Sequence, residues 1–410
     1  MTDPVAAPGP KPETLLITLT GKDRPGVTST IFSTLAQAGV EVLDVEQIVL
    51  RRRLVLGVLV TLPREWRRVR EEVERAAAAL DMHVEVDRGT GDNRARREGR
   101  SHVTVIGSPL KATAMAAVAG RIADSGANID RIERMARYPV TAIDLHVSGS
   151  DPDALRAMLA GEAARQGIDV AVQPATLLRR SLRLIVMDVD STLIQGEVIE
   201  MLAAHAGCEA EVAEVTERAM NGELDFEQSL RERVALLAGT PASALDEVYD
   251  AIELAPGART LVRTLRRLGY RFAIVSGGFS QITDRLADDL GIHYSRANEL
   301  EVVDGVITGK IIGEVVDRAG KAAALREFAA EIEVPTASVV AIGDGANDLD
   351  MLGAAGLGIA YNAKPVVRDA ADTAVNVPYL DAIMYLLGIS REEIVAADAE
   401  AGIKTPAPPV

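Results

Sequence analysis

The sequence predicts an α/β protein in three folded parts: two small units of order βαββαβ, followed by a parallel sheet with a helical insertion. Three observations predict it. The pattern strand–helix–strand–strand–helix–strand runs twice before residue 176. After about Leu182 the strand candidates become apolar throughout instead of alternating, as strands covered on both faces require. The tract from Glu197 to about Ala255 is helix-forming and holds no comparable strand, so it reads as a cap inserted after the first strand of that sheet.

The totals set limits on what such a chain does. Its 410 residues suffice for two or three domains. Aromatic residues are only 3%, so the cores must rest on Ala, Val, Leu and Ile. The formal charge of -16 argues against nucleic acid and anionic membranes as partners. It also means that an anionic substrate must be held by local cations, backbone N–H groups or a metal. The sole cysteine, Cys208, excludes an intrachain disulfide, fits a reducing compartment and reads as a small core filler. The opening MTDPVAAPGPKPE lacks a signal-peptide layout, and the longest clean apolar run, Leu54 to Val60, is too short to span a bilayer. A cytoplasmic protein is expected.

The elements follow in order. Residues 1–13 and 399–410 are Pro-rich or polar and read as flexible tails. The first unit, 14–88, runs strand TLLITLT, loop GKDRPG, helix VTSTIFSTLAQAG, strands EVLDVEQIV and LVLGVLVTL, helix PREWRRVREEVERAAAAL and strand MHVEV. The second, 101–175, repeats the cycle from HVTVI through the loop GSPLKA to IDVAV. Each describes a ferredoxin-like unit with helices on one face of an antiparallel sheet. The polar, Arg-rich GTGDNRARREGRS between them reads as a linker. In the third part, 182–398, the strands LRLIVMDV, RFAIVSG, SVVAIGDG, GLGIAY and TAVNV alternate with helices, and the cap occupies about 197–255.

Four sequence pieces lie at or just beyond the ends of those strands, where open α/β sheets place ligands. Asp188-Val189-Asp190-Ser191-Thr192 follows LIVM. Two carboxylates two residues apart can divide labour: Asp188 ionised, to attack phosphorus, and Asp190 protonated, to supply the leaving alkoxide and later activate water. Acidic pairs also cap helices and fill turns. Ser276-Gly277-Gly278 follows RFAIV and can cradle phosphate oxygens, though SGG is also a common turn. Lys321 stands at the opening of KAAALREFAAEI, where it opposes the helix dipole unless an anion sits between; a solvated surface lysine is the plainer reading. Gly343-Asp344-Gly345-Ala346-Asn347-Asp348 offers oxygen ligands for a hard cation. No His or Cys cluster stands near these pieces, which argues against zinc.

In this order the four pieces resemble the motifs of haloacid dehalogenase-like phosphatases. The stretch Met220 to Val234, MNGELDFEQSLRERV, together with Glu197, is similar to the cap of phosphoserine phosphatases. The likeness covers roughly the last 230 residues, beyond single-module length. It implies a Rossmann-like core that hydrolyses O-phosphoserine through an aspartyl-phosphate on Asp188, the last step of serine biosynthesis. It implies Mg²⁺ held by Asp188, the Asp190 carbonyl and Asp344, with Asp348 supporting the metal shell and Lys321. Ser276, Gly277, Lys321 and Asn347 would bind substrate. Glu197 would pair with the substrate ammonium, Arg233 would grip its carboxylate and Phe226 would cover the site. Without the likeness, these three read as an exposed helix Glu, a helix-face Arg and a core Phe.

The two N-terminal units resemble ACT domains through Asp23-Arg24-Pro25-Gly26-Val27, Gly107-Ser108-Pro109-Leu110 and Gly126-Ala127-Asn128. That likeness implies an amino-acid ligand near Asp23, Gly26, Ser108 and Asn128, with L-serine the expected effector, and assembly as a homodimer. Dimerisation alone is the other reading. Two alternatives to phosphoserine hydrolysis stand beside it: a phosphatase of another small phosphomonoester or of phosphoserine in proteins, and an amino-acid-sensing protein with an inactive phosphatase module.

Overall fold

The computed structural model describes residues 12–91, 99–176, 178–220 and 223–406. Most of the expected N-terminal tail, residues 407–410, most of the Arg-rich linker, and Asn221 and Gly222 of the cap segment lie outside the described residues. The chain divides into two compact units, Met1–Ala95 and Arg96–Val410.

In the first unit, β1 (Glu13–Lys22), α1 (Val27–Gln37), β2 (Val42–Leu50), β3 (Arg53–Thr61), α2 (Trp66–Ala79) and β4 (Met82–Thr90) form an antiparallel sheet of order β2-β3-β1-β4 with two helices. The period-2 pattern of β1 sends Leu15, Ile17 and Leu19 into the core. There they meet Val27, Ile31 and Leu35 of α1 and Val69, Val73 and Ala77 of α2, spaced four apart on one face of each helix. Leu16 lies on the other face, and edge strand β2 exposes Val45, Ile48, Val49 and Leu50.

The second unit begins with the same cycle: β5 (Ser101–Gly107), α3 (Ala112–Asp124), β6 (Asn128–Ala136), β7 (Thr141–Ser148), α4 (Pro152–Gln166) and β8 (Asp169–Pro174), in order β6-β7-β5-β8. The Asp151 carboxylate accepts from the N–H groups of Asp153 and Ala154 and starts α4. One face of this sheet packs on α3 and α4. The other contributes Ile106, Ala136, Ala142 and Ala171 to the main apolar core, so β5 is buried on both faces.

After α5 (Leu178–Ser181) comes β9 (Leu184–Met187), then the cap helices α6 (Val198–Ala206), α7 (Glu209–Met220), α8 (Phe226–Leu236) and α9 (Ser243–Ala251). The chain continues through α10 (Ala258–Arg267), β10 (Arg271–Phe279), α11 (Ser280–Leu290), β11 (Tyr294–Val303), β12 (Val306–Ile312), α12 (Arg318–Glu331) and β13 (Val339–Gly343). It ends with α13 (Leu349–Ala354), β14 (Leu357–Tyr361), α14 (Pro365–Ala370), β15 (Thr373–Val375), α15 (Ile383–Leu386) and α16 (Arg391–Glu400). The sheet order is β12-β11-β10-β9-β13-β14-β15. In central β9, Leu184 and Val186 enter one core while Ile185 and Met187 enter the other, which is why the strand is apolar throughout.

The sheet is mixed rather than purely parallel. Strand β12 runs antiparallel to β11, joined through Asp304 and Gly305, both at positive φ. Asp-Gly favours this tight hairpin turn. The cap leaves and rejoins the core at one place: Gln195 N–H donates to the Glu253 carbonyl (2.8 Å) and Ala255 N–H to the Leu193 carbonyl (2.9 Å).

Candidate active site

The ends of β9, β10 and β13 bring the expected residues of the core together. Asp188 leaves β9 with its N–H bound to the Ile342 carbonyl of β13 (2.9 Å), and the residue is 3% exposed. Lys321 Nζ lies 2.7 Å from Asp188 Oδ1 and 2.8 Å from Asp348 Oδ1. Lys321 is itself 1% exposed, so the surface-lysine reading is wrong. Helix α12 also starts earlier than expected. Asp317 caps it by accepting from Gly320 N–H (2.7 Å), which places Lys321 one turn inside. There its side chain answers to two carboxylates rather than to the helix dipole.

Asp348 is held as firmly. Its second oxygen accepts from Gly345 N–H (3.0 Å), and it lies so close to Gly343 that a Cβ there would fall 2.4 Å from Oδ2. Asp344 accepts from the Thr192 hydroxyl (3.2 Å). Asn347 is half-buried in the same loop.

Asp190 faces the other way. Its Oδ1 accepts from Val198 N–H of the first cap helix (2.8 Å), and its Oδ2 from Ser276 Oγ (3.0 Å). Ser276 Oγ in turn accepts from Gly278 N–H (2.7 Å). A Cβ on Gly278 would sit 3.0 Å from Asp190 Oδ2, so glycine is what permits this approach. The Phe226 ring of α8 rests on Gly277, where a Cβ would come within 2.9 Å of Cζ. Glu197 accepts from the Ser191 hydroxyl (3.2 Å), and Arg233, half-buried on α8, feels the charges of Glu197 and Asp190.

Burial and crowded negative charge set the electrostatics. Burial first, then the charges of Asp348 and Asp190, push the Asp188 carboxyl well above its usual range, with Lys321 opposing. Burial also raises Asp190, against hydrogen bonds from Val198 and Ser276. Asp344 rises to about 6 through burial and Asp348, and Glu197 to about 7 through burial, Asp190 and Asp344. Burial would lower Lys321, but Asp188 and Asp348 outweigh it and keep the ammonium charged.

Carboxylate oxygens of Asp188, Asp344 and Asp348 lie within 4.8 Å of one another. An all-oxygen donor set with excess negative charge fits a hard divalent cation.

Reasoning from motifs missed Asn298. It is 1% exposed on β11, donates to the Gly277 carbonyl (2.8 Å) and accepts from Val316 N–H (2.7 Å). It thereby ties the Ser-Gly-Gly turn to the segment leading into α12. Its only sequence signal is an Asn within β11, one strand in from the edge of the sheet. The four residues expected to hold an amino acid are divided between the two units. Asp23 and Gly26 are exposed in the first unit, with Gly26 in the left-handed conformation before α1. Ser108 and Asn128 are exposed in the second, where Asn128 donates to Asp130 (2.8 Å). Among the described residues, no helix is long and apolar enough to cross a membrane.

Residues 185–353 match the haloacid dehalogenase-like hydrolase family, and residues 13–87 and 100–173 each match an ACT domain. A phosphoserine phosphatase of Streptomyces coelicolor is 61% identical over 94% of this chain and 94% of its own. One from Mycobacterium tuberculosis is 51% identical over 95% of this chain and 97% of its own. The crystal structure of a probable phosphoserine phosphatase from Vibrio cholerae is 37% identical, covers 73% of this chain and 88% of its own, and superposes with a TM-score of 0.58. The chain belongs to the phosphoserine phosphatase family, built as a haloacid dehalogenase-like hydrolase behind two ACT domains.

Proposed function

We propose that this chain hydrolyses O-phospho-L-serine to L-serine and phosphate through a covalent phosphoryl group on Asp188, as the last step of serine biosynthesis. The observation that carries the reading is the opposed setting of two carboxyls two residues apart. Asp188 is paired with a buried ammonium, while Asp190 is raised by burial and bound to the Ser276 hydroxyl.

A carboxylate oxygen of Asp188 attacks phosphorus as the P–O bond to serine breaks. Asp190 passes its proton to the departing serine oxygen. Asp190, now ionised, takes a proton from water, whose oxygen attacks phosphorus and releases phosphate from Asp188. Ser276, the Gly277 N–H and Lys321 bind the phosphoryl oxygens, Asn347 also touches the substrate, and Lys321 offsets charge that would otherwise repel it. Asp188, the Asp190 carbonyl and Asp344, with Asp348 behind them, would hold Mg²⁺, which would neutralise charge and help align the phosphoryl group. Glu197 takes the ammonium, Arg233 the carboxylate, and Phe226 closes on Gly277 to exclude water.

Phosphate release from a panel of phosphomonoesters and phosphopeptides tests the substrate. O-phosphoserine should lead, and Arg233→Ala should lose it selectively; equal turnover of unrelated esters sinks the assignment. Asp188→Asn should abolish turnover while the fold persists, and activity unaffected by chelation would rule out Mg²⁺.

L-serine is the effector we assign to the ACT domains, and the exposed apolar residues of β2 favour assembly as a homodimer. The single cysteine suits a cytoplasmic enzyme. In the full-length enzyme, serine inhibition should be non-competitive and should weaken in Asp23→Ala and Asn128→Ala. Purely competitive inhibition would leave the ACT domains without this role.

A further inference from the structure

Away from the carboxylates around Asp188, the structure gathers a second set of metal-ligating side chains that sequence spacing hid. His102 on β5 and His146 on β7 are direct cross-strand partners, with ring centroids 4.6 Å apart. They are two of only five histidines in the chain. Asp144 lies two residues before His146 on the same face of β7, and Glu133 faces it across the β6–β7 ladder. The alternate residues Val103, Leu145 and Val147 point to the helices, so the two histidines and Asp144 share the opposite face.

The geometry is close to what a first-row transition metal needs. One ligand atom from each of His102, Asp144 and His146 falls within 4.8 Å of the others. Asp144 Oδ2 is 2.7 Å from His102 Nδ1 and 3.7 Å from His146 Nε2, and Glu133 Oε2 is 3.7 Å from the same Nε2. Tetrahedral zinc with bonds of ~2.0–2.1 Å places its ligands about 3.3 Å apart, between the observed values. His146 Nε2 is buried and has no hydrogen-bond partner. A polar atom in that state is costly, and a cation placed between it and the two carboxylates would satisfy the nitrogen and offset their charge.

We propose that His102, His146 and Asp144, with Glu133 as fourth ligand, form a zinc-class metal site in the second ACT domain. Imidazole nitrogens select zinc or a neighbouring transition metal over magnesium. The Arg179 guanidinium lies 3.4 Å from Asp144 Oδ2 and donates to the carbonyls of Leu386 and Tyr385. Its charge keeps binding moderate rather than very tight. A metal displacing it from Asp144 would act on the seam where this sheet meets the catalytic core.

The test uses the full-length, untagged chain, stripped with chelator and held in excess Mg²⁺ so that the carboxylates around Asp188 are filled. Titration with Zn²⁺ should show one equivalent bound, and Co²⁺ in its place should give the intense visible bands of four-coordinate nitrogen and oxygen ligation. The double variant His102→Gln, His146→Gln should bind zinc at least ten-fold more weakly while hydrolysing phosphoserine normally in Mg²⁺. Zinc binding unchanged in that variant, or absent in the unaltered chain, overturns the proposal. Should the variant misfold, X-ray absorption of the zinc-loaded unaltered chain decides: two imidazole ligands uphold the site, and oxygen-only ligation overturns it.

Discussion

Lys321→Met keeps the length and most of the volume of a fully buried side chain and removes its charge. The ammonium now lies 2.7 Å from Asp188 and 2.8 Å from Asp348, which are 3% and 0% exposed. Removing one partner from a buried ion pair typically costs about 3–5 kcal/mol, because the remaining charge stays desolvated. Here two like charges remain, so the loss at pH 8 should lie at the upper end of that range. Protonating one of them relieves it. In the variant that carboxyl acquires a folded-state pKa further above its unfolded value near 4. A raised folded pKa means that the folded state holds the extra proton. The stability is therefore full at low pH and declines as pH rises towards the folded pKa, by up to about 1.4 kcal/mol per pH unit. The gap between variant and unaltered protein should thus be small near pH 5 and large at pH 8. Urea unfolding in chelator measures it. Six of the seven tyrosines fall between residues 249 and 385, so near-ultraviolet dichroism reports this core, while the lone Trp66 reports the first unit. A gap of equal size at both pH values, or one below about 1 kcal/mol, would refute the argument.

The remaining predictions concern contacts around that centre. Gly277→Ala should raise KM for phosphoserine at least ten-fold, because its Cβ would meet Phe226 Cζ at 2.9 Å; adding Phe226→Leu should recover part of the loss. Glu197, at about 7, must be ionised to pair with an ammonium. The kcat/KM for phosphoserine should fall as pH drops through 7, and Glu197→Gln should remove that limb of the profile. Asn298→Asp puts a negative oxygen against the Gly277 carbonyl now held at 2.8 Å, and should lower kcat/KM for every phosphomonoester alike; selective loss of phosphoserine alone would contradict a role in holding the phosphate loop. Asp398 is fully buried and held down at about 2, since hydrogen bonds from Arg263, Arg267 and Thr405 outweigh burial. A depressed folded pKa gives stability that is present above pH ~4 and lost towards pH ~2, worth about 2 kcal/mol. The destabilisation by Asp398→Asn in urea unfolding should therefore shrink as pH is lowered from 6 to 3.

Much of the fold was legible because burial leaves a period in the sequence. The alternating strand TLLITLT and the run LIVM report one-sided and two-sided burial, and Leu15 and Leu184 lie where those patterns place them. The antiparallel hairpin β11–β12 was not legible as part of the core. Strand β11 carries Arg296 and Glu299, both exposed, and half-buried Glu301, which break the apolar signal used for the other strands. Asp304-Gly305 did mark the turn. The site residues that motifs exposed, Asp188, Asp190, Ser276, Lys321 and Asp344, all sit at strand ends or one helical turn away, where local spacing carries information. Asn298, and the pairing of His102 with His146, depend on which strands become neighbours. Those histidines stand forty-four positions apart in sequence, and one β-ladder position joins them.

Why a chain this acidic handles a phosphate ester follows from where its few buried cations stand. Lys321 is the only lysine among the fully buried side chains of the described residues, and it sits against the carboxylate proposed to accept the phosphoryl group. Arg233 is carried by the cap, on the same helix as the Phe226 ring that rests on Gly277. In the proposed mechanism the cap therefore supplies the second cation and excludes water from one helix, and each effect strengthens the other as the local dielectric falls. Selectivity should then reside in the cap and reactivity in the strand ends. On that division, a substrate lacking the serine carboxylate should lose its advantage in KM and in the closing step, while phosphoryl transfer to Asp188 keeps its metal dependence unchanged.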